Sequence, residues 1–324
     1  MARSLKPGEY VVGVDIGGTN ITVVVFDHEF KPIAREKRKS RSKDSNESVE
    51  DRVRKAVRET LRAAGEVPIK AIGAGAPGPA DPEKGIIYDT PNLDWDAFPL
   101  AEFLSKHFDA PAFADNDVNM GIYGEWCFGD VKKCKHVFGI FPGTGIGGGL
   151  IINGELFHGA SGTAGEVGHM TMQVDGPFCG CGKRGCLEAV ASRIAIAEQV
   201  AALAARYDAP YIYEHCGTDL SEIRSGVLAR AIDTGDKMVE AVVRRAAYYT
   251  GIAAANVINI VSPEAVVLGG GLVEAMPKLY IEEVTRAIDE HTYSFLRKCV
   301  KITTAKLGDD AVVMGAAKFA ADHL

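Results

Sequence analysis

The chain has 324 residues, 47% of them hydrophobic and 24% charged, and 36 Lys and Arg against 43 Asp and Glu give a net charge of −7. This is the mix of an ordinary globular protein, long enough for two domains and a core that needs no disulfide staples; the negative balance offers no general field for nucleic acid or an anionic membrane. No apolar run reaches the about 18 residues of a membrane span, and the opening MARSLKPGEYVVGVD has no apolar signal core ahead of a small-residue cleavage site, so the expected compartment is the cytosol, with the seven cysteines reduced.

Tyr10 to Asp27, YVVGVDIGGTNITVVVFD, is a β-branched run, a glycine turn and a second β-branched run. It predicts two strands joined by a tight turn. KPIAREKRKSRSK, residues 31–43, is the one basic run; a solvated strand edge and loop accounts for it, and a mobile flap that attracts an anionic donor is the sharper alternative. SVEDRVRKAVRETLRAAG carries Val49, Val53, Val57 and Leu61 at helical spacing and predicts an amphipathic helix closed by Gly65. KAIGAGAPGPAD and APAFADNDVN each read as a short strand running into a loop. HVFGIFPGTGIGGGLIINGELF, from His136 to Phe157, repeats the opening design of strand, glycine turn and strand, which suggests a duplicated fold. Residues 205–225 read as irregular. AVVLGGGLVEAM predicts a buried strand, a glycine turn and a helix, and DDAVVMGAAKFAADHL a closing helix. Alternating strands and helices imply an α/β fold with mixed sheets.

Three glycine loops stand out: Asp15-Ile-Gly17-Gly18-Thr19-Asn20, Gly143-Thr144-Gly145-Ile-Gly-Gly-Gly, and Gly269-Gly270-Gly271-Leu. The second fits G-x-G-x-x-G, but a strand follows it where the dinucleotide fingerprint needs a helix, and the chain has no G-x-x-x-x-G-K-[ST]. Each loop alone suits an ordinary turn. Together they suit phosphate, since glycine lets backbone amides approach phosphate oxygens, Thr19 and Thr144 add hydroxyl donors, and Asp15 can hold Mg²⁺ directly or through water. ADNDVN sets Asp115, Asn116, Asp117 and Asn119 after a short apolar run. Phosphoryl transfer to an alcohol needs a carboxylate to accept the hydroxyl proton; Asp117 is the candidate and Asn116 its positioning neighbour. The competing reading is an Asx-rich turn that caps the following helix.

His169, Cys179, Cys181 and Cys186 form H-x9-C-x-C-x4-C, a ligand set for tetrahedral structural Zn²⁺, wrapped by glycines 180, 182 and 185. A redox pair is the rival, without a C-x-x-C to support it. One ring nitrogen of a zinc-bound His169 is left for an outer partner, and Glu166 and Glu188 flank the cluster. The metal would shape a polar pocket suited to a ligand with many hydroxyls.

These segments resemble the ROK family (repressor, open reading frame, kinase), and within it the glucokinase branch. The resemblance spans nearly the whole chain: DIGGTN at 15–20, GAPGPAD at 75–81, PNLDW at 91–95, DNDVN at 115–119, PGTGIGGGLIINGEL at 142–156, AGEVGH at 164–169, CGCGKRGCLE at 179–188 and VVLGGGL at 266–272. It implies a duplicated actin-like (ribonuclease H-like) α/β fold of two domains around a cleft, 1–117 with a returning 304–324, and 118–303. It implies Asp117 as the base for a sugar hydroxyl, most often at carbon six, and Gly78, Asn92, Asn116, Glu166, His169 and Glu188 as ligands of the other sugar oxygens. ATP would lie on Thr19, Thr144, Gly145, Gly270 and Gly271, within the three glycine loops, with Mg²⁺ near Asp15, structural Zn²⁺ on His169 and the three cysteines, and a homodimer or homotetramer as the assembly. Many relatives carry lysine after GGT where this chain has Asn20, glutamate where it has Asp115, and alanine where it has Val118.

The expected activity is ATP-dependent phosphorylation of a hexose, glucose first, with mannose, fructose and N-acetylated hexosamines as alternatives and polyphosphate as an alternative donor. A sugar-responsive repressor is disfavoured by the nine residues before the first strand and by the net charge. A sugar sensor without catalysis is disfavoured by Asp117 beside Asn116.

Overall fold

The computed structural model describes residues 5–40, 47–90 and 92–324, so residues 41–43 of the basic run and Pro91 of PNLDW lie outside the described residues. The chain divides into two compact units, Met1–Lys133 with Glu155–Ala164 and Asp309–Leu324, and Cys134–Gly154 with Gly165–Gly308. Among the described residues, no helix is long and apolar enough to cross a membrane.

In the first unit, β1 (Tyr10–Ile16) and β2 (Asn20–Phe26) are β-branched runs that favour a pleated, buried surface. They pair antiparallel, with Asp15 opposite Thr22. β3 (Pro32–Lys39) continues the sheet from β2 and sets Thr22 opposite Lys37. β4 (Ile69–Ala76) runs parallel to β1. A small antiparallel sheet of β5 (Ala80–Asp81), β6 (Ile86–Thr90) and β7 (Trp95–Phe98) follows. β8 (Ala112–Asn116) then completes the order β3-β2-β1-β4-β8, parallel to β4. α1 (Val49–Ala63) starts where the Ser48 hydroxyl accepts from Asp51 N at 3.1 Å and buries Val49, Val53, Ala56 and Val57. α2 (Leu100–Phe108) buries Leu100 and Leu104. β3 behaves as a solvated charged edge: Arg35 and Lys37 meet Asp310 and Asp309 at 2.6 and 3.4 Å. Charged edges discourage unwanted pairing.

The closing helix, Ala311–Asp322, packs on this sheet and on α3 (Asp117–Phe128) at distances only glycine permits. A Cβ on Gly13 would lie 2.0 Å from Val313 O, one on Gly73 1.8 Å from Ala316 O, and one on Gly315 1.8 Å from Met120 O. The compact units divide the chain at other positions than the expected 117/118. α3 belongs to the first unit because its Gly124 docks against Ala311 O, and the returning segment starts at Asp309 rather than 304. Gly315→Val must push α3 and the closing helix apart. It is expected to cost about 3 kcal/mol or more, as overpacking with backbone shifts does, read as a lower urea midpoint; an unchanged midpoint would contradict this packing.

The second unit repeats the design. β9 (Val137–Pro142) and β10 (Ile146–Ile152) form an antiparallel hairpin, Ala265–Leu268 runs parallel to β9, and Lys301–Thr304 runs parallel to that. Hairpin, parallel strand, parallel strand is also the order β2-β1-β4-β8, so the duplication read from the two glycine hairpins extends through both sheets. The long helix Lys237–Val261 and the helix Pro277–His291 cover the second sheet's core with Val243, Ala247, Tyr280, Val284 and Ile288, all fully buried. The stretch 205–225, expected to be irregular, holds a short helix, Pro210–Cys216, started by its proline and anchored by buried Ile212.

Candidate active site and metal centre

In the first unit, β8 runs straight into α3, not into a loop. Asn116 stays extended and caps the helix: its Oδ1 accepts from Val118 N at 2.9 Å and Asn119 N at 3.2 Å, and its Nδ2 donates to Gly78 O at 3.0 Å. The capping reading describes this arrangement, and the cap places Asp117 at the first helical position. There Asp117 Oδ1 accepts from Val118 N at 2.9 Å, and the helix N-terminus favours its negative charge. Asp115 is fully buried. Its Oδ1 accepts from Asn116 N (2.6 Å) and Asn119 Nδ2 (3.1 Å), and its Oδ2 faces His158 Nε2 at 2.6 Å. His158 carried no local signal; the fold brings it to Asp115 from 43 residues away.

The first glycine turn lies in the same unit. Asn92 borders it, since a Cβ on Gly18 would lie 3.6 Å from Asn92 Cβ. Thr19 is exposed and its carbonyl accepts from Ser40 N at 2.8 Å. Gly17 N–H donates to Asn20 O at 2.8 Å, so this amide closes the hairpin and is not among those offered to a phosphate. Burial first, then the Asp117 and Asp309 carboxylates, push the Asp15 carboxyl up to about 7, with Lys37 opposing. A divalent cation is the natural relief for such carboxylates, which fits the Mg²⁺ expectation for Asp15.

The sign of this shift fixes a pH dependence. With a folded pKa above the ordinary 3.8, the folded protein binds the Asp15 proton more tightly than the unfolded chain does. This group therefore lowers stability as pH rises from about 4 to about 7. Without divalent cations, Asp15→Asn is expected to match the wild type near pH 4 and to exceed it by about 1–4 kcal/mol near pH 8, in urea unfolding. Equal stability at both pH values would contradict the account.

In the second unit, the glycine turn is held from two sides. β10 begins at Ile146, inside the glycine run, so a strand does follow the loop. Gly143 N–H donates to Gly145 O at 2.8 Å, closing this hairpin as Gly17 closes the first. Glu188, expected to face sugar, accepts on Oε2 from Ile146 N at 3.0 Å, and a Cβ on Gly145 would lie 2.3 Å from the same oxygen. Arg193, which sequence reasoning missed, donates through its backbone N–H to Gly143 O (2.8 Å) and through Nη2 to Thr144 Oγ1 (3.2 Å). Thr144 is exposed. The third loop sits close by: Gly270 takes a positive φ of 84°, and a Cβ there would lie 2.7 Å from Pro142 O. The helix Gly271–Ala275 follows it, as expected.

His169, Cys179, Cys181 and Cys186 converge, with one ligand atom from each lying within 4.8 Å of all the others. Cys181 and Cys186 Sγ are 3.8 Å apart, and Cys179 Sγ is 3.7 Å from His169 Nδ1. Tetrahedral zinc with bonds of about 2.0–2.3 Å requires donor separations of about 3.6–3.8 Å, so the residues fit that metal. Imidazole Nδ1 faces the cluster and Nε2 faces Glu166 Oε2, 3.9 Å away. Glu188 Oε1 lies 3.8 Å from Cys179 Sγ, so one carboxylate links the cluster to the glycine turn. Glu166 is half exposed at 53%, yet local desolvation holds its carboxyl above the ordinary range, against His169 and with Glu188.

A duplicated α/β fold with paired glycine hairpins, a capped Asn-Asp at a strand end and a His-Cys₃ cluster defines an actin-like protein of one family. The ROK family model matches residues 11–323, and the chain belongs to the ROK family. It is 32% identical to a glucokinase of Halalkalibacterium halodurans, over 94% of this chain and 93% of that one. It is 30% identical to a xylose repressor of Caldicellulosiruptor bescii, over 94% of this chain and 76% of the repressor. Among solved structures, a ROK family glucokinase from Streptomyces griseus in complex with glucose and AMPPNP matches with a TM-score of 0.81 and 29% identity, over 96% of this chain and 99% of that one.

Proposed function

We propose that this protein is an ATP-dependent hexose kinase that transfers the γ-phosphoryl group to the 6-hydroxyl of glucose. The observation that carries the reading is Asp117, set at the start of α3 by the Asn116 cap beside the first glycine turn. Asp117 takes the proton of the attacking hydroxyl as the O6–Pγ bond forms and the bond from Pγ to the β-phosphate oxygen breaks, releasing ADP. Gly78, Asn92 and Asn116 are assigned to sugar oxygens beside it. In the second unit, Glu166 and His169 through Nε2 take the same role, and Glu188 chiefly positions the glycine turn. Thr19, Thr144, Gly145, Gly270 and Gly271 receive the nucleotide. Mg²⁺ at Asp15 would neutralise phosphate charge, and zinc on the His-Cys₃ cluster would fix the orientation of His169. A homodimer or homotetramer working in the cytosol completes the proposal.

The similarity to a xylose repressor favours one second reading, a sugar-responsive regulator without turnover. ADP release with ATP, Mg²⁺ and a panel of glucose, mannose, fructose, N-acetylglucosamine and N-acetylmannosamine separates the two. Sugar-dependent release led by glucose is expected. Sugar binding without release from any sugar would favour the regulator, and release only with polyphosphate as donor would replace ATP.

A further inference from the structure

Arg193 opens the helix Arg193–Ala204, directly after the Ser192 cap, and is half-buried. Among the described residues its side chain bonds only neutral oxygens: Nη2 donates to Thr144 Oγ1 at 3.2 Å and Nη1 to Ile223 O at 3.4 Å. Among the described residues, no carboxylate lies within 4.0 Å of its guanidinium. Its charged neighbour is a second cation, Arg224, which is exposed, with Glu222 at 3.9 Å. Desolvation and then Arg224 hold the Arg193 guanidinium below its ordinary range. A half-buried cation beside another, with no carboxylate of the described residues within 4.0 Å of it, is costly unless an anion joins them.

The surroundings indicate which anion. Thr144 belongs to the second glycine turn. Ile223, the other partner of Arg193, stands two residues before Ser225, and a Cβ on Gly271 of the third loop would lie 3.7 Å from Ser225 Oγ. Arg193 thus joins the second glycine loop to the segment that borders the third, all within one unit. A guanidinium offers five donors in a planar fork, and this one keeps N–H groups beyond the two bonds named above. We propose that Arg193, with Arg224 beside it, binds the phosphate chain of the nucleotide donor. This rests on the kinase reading and adds to it a cation that the glycine motifs do not contain.

The test is equilibrium binding of ADP and of adenosine to the intact wild type and to Arg193→Gln, Arg193→Lys and Arg224→Ala. Arg193→Gln is expected to weaken ADP by about ten- to a hundredfold and to flatten its salt dependence. Adenosine affinity and melting temperature should stay at wild-type values. Arg193→Lys should recover part of the loss, and Arg224→Ala should weaken ADP by a few-fold. Equal loss of ADP and adenosine binding would show a merely structural role and overturn the proposal. Wild-type binding of ADP with no change in Arg193→Gln would overturn it while leaving the kinase reading intact. A wild type that binds no ADP would overturn the kinase reading, and this inference with it.

Discussion

Asp117→Asn is expected to lower turnover by about 10²–10⁴-fold while glucose affinity stays within a few-fold of the wild type. The substitution isolates the proton-accepting role because it spares the local structure. The helix cap belongs to Asn116, and an amide oxygen at 117 still accepts from Val118 N, so α3 should begin where it does now. The charge and the basicity are lost. The loss of charge has a second consequence, since the Asp117 carboxylate is one cause of the raised Asp15 pKa. In the variant Asp15 should titrate closer to the ordinary carboxylate range, and the stability loss between about pH 4 and pH 7 should shrink. A variant that turns over at the wild-type rate would remove Asp117 from its role. One that loses glucose binding and turnover together would make it a ligand of the ground state rather than the base.

Cys181→Ser is expected to have the next largest effect. Zinc content should fall from one per chain toward none, the melting temperature should drop by about 5 °C or more, and affinity for glucose and ADP should weaken together. Zinc binding worth about 10–16 kcal/mol in small peptides bounds what the loop could lose. The reach of the effect follows from connectivity. Cys186 stands directly before the short helix Leu187–Ala191, whose Glu188 holds Ile146 N, and Ser192 caps the next helix, whose Arg193 holds Thr144. Loosening the metal loop therefore releases His169 on one side and the glycine turn on the other. A zinc-free variant with unchanged affinity for both ligands would show that the metal shapes neither group.

What the sequence made legible was local. The glycine hairpins, the β-branched strands, the amphipathic helix from Val49 and the His-Cys₃ set could all be read because each is complete within one short segment. What it hid was long-range. His158 meets Asp115 across 43 residues, Glu188 meets Ile146 across 42, and Arg193 meets Thr144 across 49. No periodicity or spacing encodes those pairs; the sheet topology makes them. The grouping of α3 with the first unit has the same origin. Gly124 and Gly315 are unremarkable apart and meaningful only as the crossing of two helices. Asn116 shows a further limit. Its side chain caps α3 and also reaches Gly78 O, 38 residues away, a bond that no local spacing encodes.

The most direct measurement is phosphorus NMR of the products formed from ATP, Mg²⁺ and glucose by the wild-type protein, with Asp117→Asn alongside. The account predicts a phosphomonoester on carbon six of glucose, equimolar with ADP, and almost none from the variant in the same time. ATP left intact in the presence of bound glucose, or a phosphosugar formed equally by both proteins, would contradict it.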